Sequence, residues 1–206
     1  MPRTRTDFGF TSRETALLRR LSPPWRVQEF LDSLDYDLVG KECRSPRRVM
    51  RERIVQCMDG ALFAAAALRM HGHPPLLVSL QSVQDDDHVL AVYRQFGRWG
   101  AVTRSNFSGL RFREPVFPTL RALALSYFES YFNLRREKTL RRYSRTFDLS
   151  RFDDRAWMTT EGTLWWIGER LALSRHHPLV TPRMVRALGR VDRRLFEAGL
   201  VGRVLR

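Results

Sequence analysis

The chain has 206 residues, 43% hydrophobic and 28% charged, which suits one sizeable domain and excludes wholesale disorder. The formal net charge is +14, but the cations are almost all arginines spread along the chain, which argues against nucleic acid as the main partner. The longest apolar run, residues 61–68, is far shorter than the about 20 residues of a membrane span. With two cysteines and a polar, basic start, we expect a cytoplasmic protein with reduced thiols.

The first quarter of the chain is predicted to be helical after a short arm. Residues 1–10 are rich in Arg and Thr, which is typical of a flexible basic arm. Three helix starts follow, each with a side-chain cap or an early proline: Thr11 or Ser12, Pro23 or Pro24, and Ser45–Pro46. Helical spacing predicts that the second helix buries Trp25, Val27, Phe30, Leu31 and Leu34. A polar turn at residues 35–41 precedes the third helix, which continues to Val55.

The pattern changes at Gln56. Residues 61–70 are an alanine-rich run with almost no polar face, which predicts a central buried helix starting near Cys57. Three short runs bounded by turns predict a small antiparallel sheet packed on that helix: residues 76–80, 89–93 and 99–103. The Gly- and Pro-containing segment 107–118 predicts a structured loop with room for one edge strand.

The C-terminal half is predicted to be mostly helical. Helices are expected at residues 119–132 and 154–173, and from Pro182 to a stop at Gly199. The pieces between them are predicted as a solvated turn at residues 135–142, a short extended piece at 147–152 and a surface turn at His176–His177. The expected fold class is α+β, with a single domain at residues 11–206, a core at about 46–118 and a helical extension at 119–206.

Cys57, His88 and a polar residue after the third strand form a candidate catalytic triad. A helix start favours the thiolate, because unpaired N–H groups and the helix dipole stabilise an anion there. A nearby imidazole can take the thiol proton and pass it to a leaving group. A third residue must hold the imidazole by its other nitrogen, which a carboxylate, Asn or Gln can do.

This stretch resembles the transglutaminase-like superfamily, whose cores are similar to papain-like cysteine proteases. The matching features are Cys57 at the start of an apolar helix that ends near Gly72, His88 at the start of a strand, and Trp99 on the strand after a Gly-containing turn. The resemblance covers about a quarter of the chain and the helices before it. It implies that Cys57 attacks an amide carbonyl while His88 acts first as base and then as acid.

The third member departs from the family pattern. Where the family usually has Asp, this sequence has Thr103, while Ser105 shares its strand face by alternation and Asn106 follows. Since the papain-like branch implies that Asn can orient a histidine, we predict Asn106, with Ser105 and Thr103 as alternatives. The resemblance implies acyl transfer by a peptidase, amidase or amide-exchanging enzyme on a peptide or protein amide, with no metal and no organic cofactor.

These residues also have simpler interpretations. Cys57 can be a buried structural thiol and His88 a hydrogen-bonded strand histidine. A protein of the same fold can lack catalysis and bind a peptide or protein partner in the cleft. A nucleic-acid-associated protein is the third class, and it predicts a steep salt dependence of association.

Other chemistry-bearing side chains are assigned structural roles. Cys43 is expected to be structural or incidental. His71 and His73 flank a glycine at a helix end, where a cation suits the dipole. The acidic run 85–87 is predicted to be a solvated turn rather than a cation site.

Overall fold

The computed structural model describes residues 8–205 and shows helices packed on an open antiparallel sheet, a mixed α+β architecture. The helices are α1 (Ser12–Arg20), α2 (Pro24–Asp32), α3 (Pro46–Glu52), α4 (Cys57–Met70), α5 (Leu120–Leu125), α6 (Trp165–Ala172), α7 (Pro182–Arg186) and α8 (Arg193–Gly199). The strands are β1 (Asp35–Tyr36), β2 (Ile54–Val55), β3 (Leu76–Ser82), β4 (His88–Gln95), β5 (Arg98–Val102), β6 (Arg113–Phe117), β7 (Leu140–Ser144), β8 (Phe147–Asp148) and β9 (His176–Pro178). Two 3-10 helices cover Phe128–Ser130 and Leu149–Arg155.

The predicted helix starts in the first quarter are confirmed by their caps. Thr11 caps α1 in a capping box with Glu14, and Ser45 caps α3 with Pro46 at its first position. Helix α3 ends earlier than predicted, because Arg53 takes a left-handed φ of 59° and the chain then turns into a strand.

The segment predicted as a polar turn supplies a strand instead. Its first two residues form β1, which pairs in parallel with β2. The expected burial of Trp25 is also wrong, since it is 40% exposed. The residue lies about 200° around the helix from Val27, which is buried, so it faces solvent.

Helix α4 is the central buried helix that its composition predicts. All side chains from Met58 to Leu68 are buried. Phe63 of this helix stacks on Phe30 of α2, with ring centroids 4.9 Å apart. Helices α1, α2 and α3 contact α4, and α4 contacts β3 and β4, so it lies between the N-terminal helices and the sheet.

The main sheet has the strand order β6-β5-β4-β3-β7-β9, and β8 also pairs with β3. The three predicted strands are confirmed as β3, β4 and β5, and the loop after them holds the edge strand β6. Their side chains alternate between two buried clusters. Leu77, Ala91 and Val102 belong to the cluster that contains α4, whereas Leu80 and Leu90 face the opposite cluster.

Two strands of the sheet lie where the sequence predicted turns. The charge run 135–142 ends in β7, whose terminal residues Leu140 and Ser144 are buried while the guanidinium of Arg142 donates to a neighbouring carbonyl oxygen. Residues 176–178, predicted as a surface turn, form β9, which pairs with β7. The arginines of this segment indicated a solvated turn, but its backbone forms a strand that pairs with β3 on one side and β9 on the other.

The helices of the C-terminal half are shorter than predicted. The helix expected at 119–132 ends after Leu125, and the one expected at 154–173 begins only at Trp165. A left-handed Ala156 stops the preceding 3-10 helix, so Trp157 is buried from a loop. The last expected helix is two short helices, α7 and α8. The predicted helical extension thus supplies β7, β8 and β9 to the sheet.

The predicted basic arm is partly corrected. Residues 1–7 lie outside the described part of the chain. The end of the predicted arm is anchored, since Phe10 is 5% exposed and the Gly9 carbonyl accepts from Arg47 Nη2 at 2.6 Å. These contacts fix the entry into α1.

Candidate functional site

A cavity of about 810 Å³ lies among the start of α4, the start of β4 and the chain that follows β5. Cys57, His88, Ser105 and Asn106 line it, and Arg203 and Val204 border it as well. The elements that the sequence singled out therefore meet at one end of the sheet.

Cys57 is the first residue of α4, is half-buried and lines the cavity. The preceding Gln56 caps the helix, because its Oε1 accepts from the Met58 N–H at 2.8 Å. The same oxygen accepts from the Cys57 thiol, with 3.2 Å between sulfur and oxygen. The thiol proton is thus directed at Gln56 in this structure.

The environment of Cys57 favours the neutral thiol. Burial raises the pKa of Cys57 to about 12, and the negative charges of Asp59 and Asp86 act in the same direction. The N–H groups of the helix start act the other way and are outweighed. The thiolate expected from the helix start alone is therefore not the resting form near neutral pH.

His88 is buried, and its ring is held by Thr103 and by the main chain of Leu110. His88 Nε2 lies 2.8 Å from Thr103 Oγ1. The same hydroxyl lies 2.7 Å from the Val89 carbonyl oxygen, to which it can donate. Burial lowers the pKa of His88 to about 4, against a smaller opposite effect of the Leu110 main chain. The ring is therefore neutral near neutral pH, and one of its two nitrogens carries a lone pair.

Of the three candidates for the third position, Thr103 is the one whose side chain contacts His88 in the described structure. The side chain of Asn106 hydrogen-bonds to the main chain of Val204 instead. Ser105 Oγ accepts from the Phe107 N–H at 3.0 Å. Strand β5 ends at residue 102, so the alternation used to place Ser105 does not extend to it.

Cys57 and His88 share the cavity but not a sheet face. Strand alternation places His88 on the side of Leu90, whereas α4 packs on the side of Ala91. The hydrogen bonds of the two groups go elsewhere, from the thiol to Gln56 and from the imidazole to Thr103. The two side chains therefore line one cavity without a hydrogen bond between them.

Gly60 lets the first turn of α4 lie against the chain that follows β5. A Cβ built on Gly60 would lie 2.6 Å from Arg104 Cβ. A glycine inside an alanine-rich helix is the sequence signal for such a close approach. The contact also places the residue after Thr103 against the helix that begins with Cys57.

The sequence analysis missed two features next to the thiol. One is Gln56, which the ordinary preferences for helix caps do not single out. The other is a buried ion cluster, in which Arg44 Nη1 donates to Asp59 Oδ2 at 3.2 Å and to Asp37 Oδ2 at 2.7 Å. Burial outweighs Arg44 and raises the pKa of Asp59 to about 7. The available sequence signal for this cluster was Asp59, an acidic residue followed by the apolar run 60–68 of the helix.

The acidic turn beside the cavity is more constrained than a solvated turn. The Tyr131 hydroxyl donates to the Asp86 carbonyl oxygen at 2.6 Å. Thr139 Oγ1 donates to Asp85 Oδ2 at 2.7 Å, and burial raises the pKa of Asp85. Asp86 and Asp87 are exposed, as predicted for the whole turn.

The remaining candidate residues lie apart from this cavity. Cys43 is buried in the core, and His71 Nε2 lies 3.0 Å from the Leu18 carbonyl oxygen. Within residues 8–205, no group of three or more His, Cys, Asp or Glu side chains is arranged to hold a metal ion. Over the same range, every helix is too short or too polar to cross a bilayer.

The fold and the cavity define a mixed α+β protein with a cysteine at the start of its buried helix and a neutral histidine on its sheet. No protein-family model matches the chain, and no curated protein matches it significantly. The arguments about its function therefore rest on the cavity itself.

Proposed function

We propose that this protein is a cysteine-dependent acyl-transfer enzyme that acts on amide bonds of a peptide or protein, in the manner of transglutaminase-like and papain-like proteins. The observation that carries the proposal is the shared cavity. In it, a half-buried cysteine at a helix start lies with a neutral imidazole whose Nε2 is 2.8 Å from Thr103 Oγ1. A neutral imidazole carries one lone pair that can serve in general-base catalysis.

The proposed reaction needs two steps. Cys57 Sγ attacks the amide carbonyl carbon while His88 takes the thiol proton, and a sulfur–carbon bond forms. The carbon–nitrogen bond then breaks, and His88 gives the proton to the departing amine. Water or a second amine attacks the thioester, and its proton returns through His88 to the sulfur. Neither a metal nor an organic cofactor takes part.

The resting protonation states decide how this proposed reaction starts. The thiol has a pKa of about 12 and the imidazole a pKa of about 4, so proton transfer before attack is unfavourable. The transfer must therefore accompany the attack, after the thiol turns away from Gln56. Thr103 orients the ring but adds no negative charge, so we expect slower turnover than with a carboxylate at this position.

The order of elements supports a transglutaminase-like arrangement. A cysteine opens the buried helix, a histidine opens the second strand of the hairpin, and the third residue follows the next strand. Two free cysteines also fit a reducing, cytoplasmic location for the enzyme.

The first test is acetylation of Cys57 by p-nitrophenyl acetate, followed by intact-protein mass spectrometry and compared with free N-acetylcysteine. We expect Cys57 to react faster than its raised pKa predicts, because His88 removes the proton during attack. In His88→Gln the rate should fall about 100-fold or more, the ordinary contribution of a general base.

Two controls accompany that test. Cys43→Ala should leave the rate unchanged, because Cys43 is fully buried and does not line the cavity. Cys57→Ala should remove the acetylated species. A His88→Gln rate equal to that of the unmodified chain would exclude the catalytic role. Hydroxylamine is then added to the acetylated protein. Faster loss of the acetyl group in its presence shows that an amine competes with water for the thioester.

A second candidate is a catalytically inactive protein of the same fold that binds a peptide or protein partner in the cavity. The observation that favours it is the separation of hydrogen-bond partners, since the thiol pairs with Gln56 and the imidazole with Thr103. This candidate predicts ordinary acetylation of Cys57 and no effect of His88→Gln. It still predicts a formed cavity that binds its partner.

A further inference from the structure

The segment after α8 runs into the cavity that holds Cys57 and His88. Gly202 has a φ of 71°, which turns the chain after the helix. The next two residues, Arg203 and Val204, then border the cavity beside Asn106. Part of this chain therefore lies where a ligand of the cavity would lie.

Asn106 holds this segment through its main chain. Asn106 Nδ2 donates to the Val204 carbonyl oxygen at 2.9 Å, and the Val204 N–H donates to Asn106 Oδ1 at 2.8 Å. Two neighbouring strands exchange the same pair of hydrogen bonds. Such a clamp recognises the backbone of an extended peptide whatever its side chain.

The segment buries little apolar surface. Val204 is 43% exposed and Leu205 is 72% exposed. The guanidinium of Arg203 lies over the Phe107 ring at 5.4 Å. A segment with so little apolar burial opens at low cost, because local stability follows the buried contacts.

We propose that the cavity binds an extended peptide whose main chain is recognised by Asn106, and that residues 203–205 are an intramolecular occupant of this site. A peptide ligand then displaces these residues and takes their hydrogen bonds to Asn106. The inference rests on the proposed function in that the peptide lies in the cavity of Cys57. The inference also holds when Cys57 catalyses no acyl transfer.

The first measurement compares Val204→Pro with Val204→Thr in the full chain. Proline removes the N–H that Asn106 accepts from, whereas threonine keeps it. The readout is the rate at which fluorescein-5-maleimide labels Cys57. Loss of this one hydrogen bond, with the bond to the Val204 carbonyl oxygen kept, corresponds to about a fivefold larger open population. We expect about that increase in rate for Val204→Pro and none for Val204→Thr.

The second measurement follows a fluorescein-labelled synthetic peptide of residues 200–205 by fluorescence anisotropy. We expect it to bind Val204→Pro about fivefold more tightly than the unmodified chain, because the intramolecular competitor has lost one hydrogen bond. Asn106→Ala also frees the segment and should speed labelling of Cys57. It should not bind the peptide, because it lacks the amide that holds the main chain.

Methylation of the peptide nitrogen provides the matched ligand control. A peptide methylated at the nitrogen of Val204 should not bind, whereas one methylated at Val201 should. Unchanged labelling in both protein variants would overturn the inference, as would equal peptide binding by Asn106→Ala and Val204→Pro. If acyl transfer is observed but the changes in labelling and peptide binding are not, only the proposal of an intramolecular occupant is wrong. If those changes are observed but acyl transfer is not, only the catalytic proposal is wrong.

Discussion

Replacing Thr103 by valine tests whether its hydroxyl supports His88. Valine has nearly the same shape but leaves His88 Nε2 and the Val89 carbonyl oxygen without this partner. Both groups are buried, and an unsatisfied buried polar group costs about 1–3 kcal/mol. We therefore expect Thr103→Val to lower the free energy of unfolding by about 3 kcal/mol.

The assay is urea unfolding at neutral pH, together with the melting temperature. For a chain of this size, about 3 kcal/mol corresponds to a loss of about 6–12 °C. The matched control is Thr103→Ser, which keeps the hydroxyl and loses one methyl group. We expect it to cost about 1 kcal/mol.

Two results would refute this reasoning. One is a Thr103→Val protein within about 0.5 kcal/mol of the unmodified chain, which would mean that the hydroxyl carries no stabilising hydrogen bond. The other is equal destabilisation by valine and serine, which would assign the loss to packing. In the acetylation assay, Thr103→Val should also react more slowly than Thr103→Ser, because the ring is no longer held in one orientation.

Three further predictions concern the surroundings of the cavity. Gly60→Ala should lower the free energy of unfolding by about 1–3 kcal/mol because the added methyl group overpacks the contact, whereas Gly189→Ala meets open space and should not; urea unfolding measures both. Arg44→Met should cost about 3–5 kcal/mol in the same assay because it leaves buried carboxylates unpaired. Arg51→Met breaks an exposed pair and should lower the free energy of unfolding far less than Arg44→Met does. His88 becomes protonated below about pH 6.5 in the unfolded chain but only near pH 4 in the folded chain. The free energy of unfolding therefore falls as the pH falls through this window. The stability difference between the unmodified chain and His88→Gln should narrow by about 3 kcal/mol from about pH 7 to about pH 4, and an unchanged difference would contradict the buried neutral ring.

Local signals predicted the elements around the cavity well. The capping box of Thr11 with Glu14 and the alanine-rich run after Cys57 place helices where the structure has them. These signals act within one turn or one helix face, so the residues that encode them are neighbours in the chain. The three strands that follow α4 were predictable for the same reason, because turns bound each apolar run.

Non-local pairing decided the elements that the sequence analysis misplaced. Strand β7 carries Arg141 and Arg142, so its local composition indicates a solvated turn, yet β3 and β9 pair with it on either side. The opposite error occurred around Trp157, which lies in the helix predicted at residues 154–173. There, the side chain fills the core from a loop.

The candidate site divides in the same way. The sequence indicated Cys57, His88 and a polar residue after β5, because each type follows from local position and chemistry. It did not show that Thr103 contacts His88 or that Asn106 contacts Val204, since these contacts depend on strand register and on a segment 98 residues away. It also could not show that burial keeps the thiol protonated.

The sequence by itself determined the helix starts, the buried helix and the residue types at the cavity, because caps and hydrophobic periodicity act over a few neighbouring residues. The tertiary structure decided which polar residue orients His88, which segment occupies the cavity and how burial shifts the pKa values of Cys57 and His88. These properties depend on atoms that are distant in the chain and on the exclusion of water. They exist only after the sheet, α4 and the segment after α8 have packed together.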